Sequence, residues 1–294
     1  MAPRLDRRHF LTAGSIGAGA LLPAPVSAKQ PASSAPAAQF KLGIVTYNIA
    51  AGWDLPTMLR ILKTTGLYCA ELRTTHKHGV EPSIALERRK EARQQFADAG
   101  IVLWGLGTVC EFHSPDRQIV EKNIESCKQF LQLAADIGAR GVKVRPNALP
   151  KDVPVPKTLE QIGKALIPCG KTAADLNLEV WVEVHGAGTA HPPHMKSIME
   201  HCGLANVGVT WNSNKTDIVT GSIAPYFTLL QPWIKECHIN ELYSDYPYRE
   251  LFTRFRETGY NRVTLVEIPQ ALEPAAGELL LRYYKALWNE LTRG

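Results

Sequence analysis

Four polar residues in the second half of the chain stand where short apolar segments end, and their types suit metal binding. They are Glu183, Asn212, His238 and Glu267. Two carboxylates, one imidazole and one amide oxygen offer the mixed oxygen and nitrogen donors that Mn²⁺, Mg²⁺, Co²⁺ or Zn²⁺ accept. A fold that brings the four segments side by side would let these donors surround one divalent ion.

Eight short strand-like segments, separated by helical segments, position these residues. Strands are predicted at 41–47, 67–71, 101–105, 141–145, 178–184, 207–211, 234–239 and 262–267, where β-branched and aromatic residues concentrate. Helices are predicted at 55–65, 84–99, 115–138, 158–176, 192–202, 222–231, 247–258 and 275–292, where apolar residues recur every three or four positions. This alternation predicts an α/β fold with one (β/α)8 TIM barrel over 40–294. An open nucleotide-binding sheet would carry a glycine-rich motif after its first strand, and none is present there.

Alternation along the predicted strands decides which side chains face the barrel axis. In the fifth strand the valines suit the helix layer, which turns Glu183 and His185 inward. The same rule turns Asn212, His238 and Glu267 inward on the sixth, seventh and eighth strands. Active sites of TIM barrels lie at the C-terminal ends of the strands, which is where these residues stand.

Charged residues on the inner faces of other strands offer an alternative to a metal site. Lys143 and Arg145 alternate with valines, and Glu236 shares its face with the seventh-strand histidine. Charged groups inside a barrel bind one another, a metal or a substrate, because an unpaired buried charge is costly. The alternative is therefore a buried network of ion pairs. It would link Glu183, Glu236 and Glu267 to Lys143 and Arg145.

Further polar residues near the same strand ends are candidates for contacts with a polar substrate. They are Glu71, Arg73, His76, His113, Lys143, Arg145, Asn240, Glu241 and Arg249. Trp53 and Trp211 could stack on a substrate ring, although Trp211 equally suits the core. Phosphate sites of TIM barrels favour glycine-rich turns after the last two strands, and these turns contain no glycine. A substrate without a phosphate group is therefore expected.

Four fragments carry a resemblance to a known family: EVHG at 183–186, WNSN at 211–214, HIN at 238–240 and VEIP at 266–269. Their order and spacing resemble the xylose isomerase-like TIM barrels. This superfamily of sugar phosphate isomerases and epimerases includes ketose 3-epimerases, inosose dehydratase-like proteins and endonuclease IV. The resemblance covers roughly residues 40–292.

The resemblance implies that Glu183, Asn212, His238 and Glu267 hold the metal. It also implies that the two glutamates act as an acid and base pair in catalysis. One removes a proton from the carbon beside a carbonyl, the other returns a proton from the opposite face, and the metal stabilises the enediolate between these steps.

The chain departs from the family after its sixth strand. Asn212 stands where the family has aspartate, and Lys215 stands where the family has histidine. An amide oxygen carries no charge, so weaker metal binding, or none, is expected. In a branch with altered chemistry, Lys215, Lys143 or His185 would then serve as the electrophile or the base.

The first residues are typical of an export signal. The segment DRRHFL at 6–11, a weakly apolar stretch and small residues up to Ala28 resemble a twin-arginine signal peptide over 1–28, which predicts export to the periplasm. The alternative is a disordered basic N-terminus. Residues 29–39 are rich in proline, alanine and serine and predict a flexible linker. The six cysteines show no C-x-x-C pair, so most are expected to be buried free thiols.

These observations predict an enzyme, a carbohydrate isomerase or epimerase that acts on a non-phosphorylated sugar or keto-sugar. A keto-sugar lyase or dehydratase is an alternative, because elimination begins with the same proton abstraction. A second alternative is a non-catalytic periplasmic sugar-binding barrel that has lost its metal site, as the asparagine and lysine of the sixth strand would suggest.

Other partners find less support in the sequence. The net charge of +5 is too small to indicate nucleic acid binding, and no aspartate ends a strand to supply a three-metal nuclease site. No apolar run reaches the ~18 residues that a membrane span needs. Barrels of this family often form homodimers, but the sequence carries no interface signature, so a homodimer stays an open expectation.

Overall fold

Eight parallel strands close into a barrel in this computed structural model, which describes residues 39–293. The strands are β1 (Lys41–Val45), β2 (Cys69–Arg73), β3 (Val102–Gly107), β4 (Gly141–Val144), β5 (Glu179–Glu183), β6 (Val207–Asn212), β7 (Ile234–Ile239) and β8 (Val263–Val266). They pair in sequence order, and β8 pairs with β1. The predicted TIM barrel is confirmed, and every predicted strand end lies within two residues of the observed one.

Eight α-helices surround the barrel. They are α1 (Leu55–Thr65), α2 (Leu86–Ala99), α3 (Arg117–Ile137), α4 (Val155–Asp175), α5 (Pro192–Cys202), α6 (Ala224–Leu230), α7 (Tyr248–Glu257) and α8 (Pro274–Thr292). Two of them begin at aspartates whose side chains accept backbone N–H groups: Asp54 from Thr57 at 2.9 Å and Asp116 from Gln118 at 2.8 Å. Side-chain caps of this kind fix where a helix starts, and so how long the preceding loop is.

The predicted export signal at 1–28 lies outside the described residues, as does the predicted linker except for its last residue. All six cysteines are described, and all are buried free thiols, as predicted. Within residues 39–293, no helix combines the length and the apolar character that a membrane crossing requires.

The interior of the barrel is filled in layers below the polar strand ends. At the N-terminal ends, Glu179 pairs with Lys235 at 3.0 Å and with Arg262. In the next layer Trp104 and Trp181 stack with their ring centroids 5.8 Å apart. The two stacked rings close the barrel from below, because closely packed side chains leave no path for water.

Two tryptophans that the sequence offers for stacking on a substrate lie in the core instead. Trp53 and Trp211, which are 1% and 0% exposed, lie in the core between strands and helices. Trp53 donates its indole N–H to the carbonyl of Leu272 at 2.7 Å, and Trp211 donates to Tyr246 Oη at 3.0 Å. Neither ring is available to stack on a sugar.

The loops that follow β4 and β5 are joined at the mouth of the barrel. Ala148 and Ala187 form a parallel bridge, and Ala187 N donates to the carbonyl of Asn147 at 3.1 Å. Gly186 adopts φ +97°, and a Cβ atom there would collide with the backbone of Asn147. The glycine is required here because backbone atoms cannot move aside by changing rotamer. The junction carries His185, which lines the cavity described below.

Substitution of Gly186 by alanine is expected to destabilise the protein through two separate effects. The positive φ alone costs an L-residue about 1–2 kcal/mol, and the collision with Asn147 adds about 1–3 kcal/mol. Gly221→Ala is the matched control, because Gly221 has φ +85° and nothing lies within 4 Å of an added Cβ. Urea unfolding of both variants measures the difference. Equal losses would show that the contact with Asn147 contributes nothing.

Candidate functional site

A cavity of about 320 Å³ opens at the C-terminal ends of the strands. Its walls are formed by Val45, Tyr47, Arg73, Lys143, Arg145, Glu183, His185, Asn212, Asn240, Glu241, Glu267 and Pro269. The volume lies at the lower end of the range of about 300–1,000 Å³ that small-molecule sites span. A small cavity with so many charged and amide side chains suits a small polar ligand.

His238 lies beneath the cavity, between two pairs of carboxylates. Its Nδ1 is 3.8 Å from Glu183 Oε1 and 3.6 Å from Glu267 Oε1. Its Nε2 is 3.5 Å from Glu71 Oε2 and 3.8 Å from Glu236 Oε2. Burial lowers the pKa of His238, but the charges of Glu267 and Glu71 more than offset burial, so the pKa lies well above its ordinary value. Both ring nitrogens are thereby surrounded by negative charge.

Glu183 is the most constrained carboxylate of the upper pair. It accepts a hydrogen bond from Lys143 Nζ at 2.6 Å and one from Asn212 Nδ2 at 3.2 Å. Burial raises the pKa of Glu183, but the Lys143 ammonium and His238 more than offset burial and hold the pKa well below its ordinary value. Glu267, by contrast, has no lysine or arginine nitrogen within 4.0 Å among residues 39–293. The two glutamates therefore differ in their charged neighbours.

Glu71 and Glu236 form a fully buried second pair beneath His238. Thr210 donates to Glu236 Oε2 at 2.7 Å, while both oxygens of Glu71 accept no hydrogen bond within the described chain. Burial raises the pKa of Glu236 well above its usual range, and the charge of Glu71 raises it further. A Cβ atom on Gly107 would occupy the space of the Glu71 side chain, so the glycine makes room for it.

The residues above His238 fit a divalent metal ion. Ligand atoms of Glu183, His238 and Glu267 all lie within 4.8 Å of one another. Asn212 Oδ1 and His238 Nδ1 are buried and have no hydrogen-bond partner within residues 39–293, so both can act as donors to a metal. Glu71 faces the other nitrogen of the same ring, as carboxylates that orient metal-binding histidines commonly do.

The sequence profile described as "Xylose isomerase-like TIM barrel" matches residues 59–285, which include both pairs of carboxylates around His238. The chain belongs to this family. None of the curated protein sequences matches the chain.

Solved structures resemble this xylose isomerase-like barrel over most of its length. D-psicose 3-epimerase, crystallised in the presence of D-fructose, has a TM-score of 0.73 and 15% identity, covering 87% of this chain and 100% of its own. The 3-keto-D-glucoside 4-epimerase YcjR from E. coli has a TM-score of 0.69 and 14% identity, covering 85% and 99%. The IolI protein with a bound zinc atom has a TM-score of 0.72 and 15% identity, covering 86% and 98%. These likenesses show the fold that the proteins share.

Most of the polar residues predicted for the site line the cavity of this xylose isomerase-like barrel. They are Arg73, Lys143, Arg145, Glu183, His185, Asn212, Asn240, Glu241 and Glu267. The structure also brings in Tyr47 and Pro269, which the sequence analysis missed. Alternation from Val45, an inward residue of β1, would have predicted an inward Tyr47.

Four residues predicted to contact substrate lie outside the cavity. Glu71 is buried beneath it, because its side chain faces His238. His76 and His113 sit half-buried in loops, with their Nδ1 atoms 3.2 Å from Thr46 Oγ1 and 4.0 Å from Glu111 Oε2, respectively. Arg249 is exposed on the first turn of α7.

Lys215, predicted as an electrophile or base, also lies outside the cavity. It is exposed on the single 3-10 turn Lys215–Asp217. The physical reason is the hydrogen bonding of this turn. Asn214 N donates to Asp217 Oδ2 at 2.9 Å, and Asn214 Nδ2 donates to the carbonyl of Val184 at 2.6 Å. These bonds turn the chain so that Lys215 faces solvent, and we therefore give it no direct part in the chemistry.

Proposed function

We propose that this protein is an isomerase or epimerase of a non-phosphorylated sugar or keto-sugar that moves a proton at the carbon beside the carbonyl. The observation that carries the proposal is the convergence of two carboxylates on one nitrogen. Glu183 and Glu267 lie 3.8 and 3.6 Å from His238 Nδ1, at the bottom of a small polar cavity. The sugar epimerases among the structural neighbours support this reaction class.

The environments of the two glutamates divide the proton transfer between them. Glu267 lacks a lysine or arginine within 4.0 Å in the described chain, so no ion pair occupies its carboxylate, and it takes the proton from carbon. Glu183 is fixed in position by Lys143 and Asn212, and it would exchange a proton at the opposite face of the substrate carbon. In the reverse reaction the two carboxylates change roles.

A divalent metal ion is part of the proposal. Glu183, Asn212, His238 and Glu267 would hold it, and their oxygen and nitrogen donors suit Mn²⁺, Mg²⁺, Co²⁺ or Zn²⁺. When bound, such an ion supplies Lewis-acid stabilisation of negative charge on the substrate oxygen. Asn212 brings no charge to the site, so the affinity is expected to be lower than that of a site with three carboxylates.

Exchange of carbon-bound hydrogen with solvent tests the proposal. The protein, supplied with Mn²⁺, Co²⁺ or Zn²⁺, is incubated in D₂O with a panel of ketoses and keto acids, and NMR follows the carbon beside the carbonyl. We expect deuterium to enter that position as an epimer or isomer appears, and a chelator to slow both. An elimination product would indicate a lyase instead. Binding without exchange throughout the panel would contradict catalysis and favour a sugar-binding barrel.

Export through the twin-arginine pathway to the periplasm is proposed from residues 6–28 of the sequence. Fusion of residues 1–39 to a reporter that this pathway carries tests it. Replacement of Arg7 and Arg8 by lysine should then retain the reporter in the cytoplasm. Unchanged export of that variant would contradict the proposal.

A further inference from the structure

The cavity has a basic side and an acidic side. Its cations, Arg73, Lys143 and Arg145, stand on β4 or directly at the ends of β2 and β4. Its carboxylates, Glu183, Glu241 and Glu267, stand at the ends of β5, β7 and β8. Strand order in the barrel therefore separates the two signs of charge across the cavity, and a ligand that spans it meets both.

Two of the three cations already have carboxylate partners within the protein. Lys143 Nζ lies 2.6 Å from Glu183 Oε2. Arg145 donates from Nε to Glu111 Oε1 at 2.9 Å, and its Nη2 lies 2.9 Å from the same oxygen. These pairs neutralise most of the positive charge on the basic side.

Arg73 is the one cation of the cavity wall that has no carboxylate partner among residues 39–293. It is half-buried, and no carboxylate of residues 39–293 lies within 4.0 Å of its guanidinium. Its side chain makes one hydrogen bond, from Nη1 to the carbonyl of Thr74 at 3.2 Å. Burial lowers the pKa of Arg73 and the nearby charge of Arg145 lowers it further, whereas the carboxylates of Glu71 and Glu183, beyond 4.0 Å, raise it. The guanidinium therefore keeps unused N–H donors at the cavity wall, where an anionic ligand can pair with them.

We propose that the substrate is a sugar acid whose carboxylate binds to the Arg73 guanidinium, while its carbonyl end reaches Glu183 and Glu267. The inference rests on the proposed function, because the same cavity must hold both ends of one molecule. A planar guanidinium matches a carboxylate with two parallel hydrogen bonds. The cavity suits a phosphate less well than a carboxylate, because the turns after β7 and β8 lack the glycines of barrel phosphate sites.

Matched pairs of ketose and keto acid test the proposal directly. 2-Keto-D-gluconate has the carbon configuration of D-fructose with a carboxylate in place of one hydroxymethyl group. 5-Keto-D-gluconate relates in the same way to L-sorbose and places the carboxylate far from the ketone. Calorimetry on the full-length protein measures binding of all four, with D-fructose 6-phosphate as the phosphate arm. We expect at least one keto acid to bind about 10–100-fold more tightly than its neutral partner, since hydrogen bonds to charged groups contribute in that range.

The variant Arg73→Gln is expected to remove this preference, because it lowers the affinity for the keto acid far more than that for the neutral ketose. Arg73→Lys keeps the charge but loses the planar pair of N–H donors. Its preference for the keto acid is expected to lie between those of the native protein and of Arg73→Gln. Arg282→Gln, on the exposed surface of α8, is the control for a lost surface charge and should leave all affinities unchanged. Circular dichroism confirms that each variant is folded.

Each other outcome overturns the proposal in a distinguishable way. Equal affinity for acid and neutral partners, or equal weakening of both in Arg73→Gln, would contradict carboxylate binding at Arg73. Either result would still support the proposed sugar site. Tighter binding of D-fructose 6-phosphate than of either keto acid assigns Arg73 to phosphate instead. If none of the five compounds binds, both carboxylate binding at Arg73 and the proposed sugar site are contradicted.

Discussion

Replacement of Glu267 by glutamine is expected to lower kcat by about 10²–10⁴-fold, the range that a general acid or base contributes. Glutamine has the shape of glutamate and can still donate and accept hydrogen bonds, so the affinity for substrate should change only a few-fold. Loss in kcat with little change in binding is the signature of an interaction made in the transition state. Steady-state kinetics and the rate of deuterium exchange measure the effect on the same samples.

Two further variants make this result specific. Glu183→Gln is expected to lose activity comparably, because the second carboxylate is needed for the opposite proton transfer. Glu257→Gln, an exposed glutamate at the end of α7, is the matched control and should retain full activity. Full turnover by both Glu183→Gln and Glu267→Gln would remove these residues from the proton transfer.

Substitution of Lys143 by methionine is expected to produce the largest loss of stability, about 3–5 kcal/mol. Lys143 and Glu183 are only 5% and 4% exposed and lie 2.6 Å apart, so removal of the ammonium leaves a buried carboxylate without its main partner. The double variant Lys143→Met with Glu183→Gln should recover most of the loss, because no uncompensated charge stays in the interior. Urea unfolding with a chelator present measures both variants without a contribution from metal.

The control for this pair lies at the opposite end of the barrel. Lys235 contacts Glu179 at 3.0 Å, but both side chains are about one quarter exposed and Glu179 keeps Arg262 as a partner. Lys235→Met is therefore expected to change stability by about 0–1 kcal/mol. A double variant as unstable as Lys143→Met alone would show that the aliphatic part of the lysine, and not its charge, supports the fold.

The loss of stability caused by Lys143→Met should be smaller at low pH than at high pH. In the native protein the pKa of Glu183 is depressed, so the stabilisation by the pair is complete above the unfolded pKa of about 4.3 and disappears as pH falls through the folded pKa. Without the ammonium, only His238 and His185 oppose burial, so the folded pKa of Glu183 rises and less stability is lost on acidification. The difference between native protein and variant should therefore be smaller at pH 4 than at pH 8.

The arrangement of strands could be predicted from the sequence because each strand is short, apolar and followed by a regular helix. The inward faces followed from alternation, which by itself places Glu183, Asn212, His238 and Glu267 around one point. Their spacing is fixed by the barrel itself, since parallel strands in register bring consecutive strand ends together. Local pattern and global fold agree at these positions.

The pairing of charged side chains could not be predicted in the same way. Alternation places Lys143 and Arg145 on one face, but the partner of Arg145 is Glu111, which comes from the loop after β3 and has no periodic signal. Alternation alone also does not give the depth of a side chain. Glu71 shares an inward face with Arg73 but comes two residues earlier on β2, so it lies one layer deeper, beneath His238, while Arg73 lies at the cavity. Loop residues such as Lys215 depend on hydrogen bonds that only the folded turn reveals.

The separation of charge across the cavity follows the order of the chain. Groups that would recognise the substrate come from β2 and β4, whereas groups that would move its proton come from β5 to β8. We therefore expect changes of specificity to concentrate at Arg73 and Arg145 in the first half-barrel. Lys143 should stay fixed, because it also holds Glu183 in position for the proton transfer.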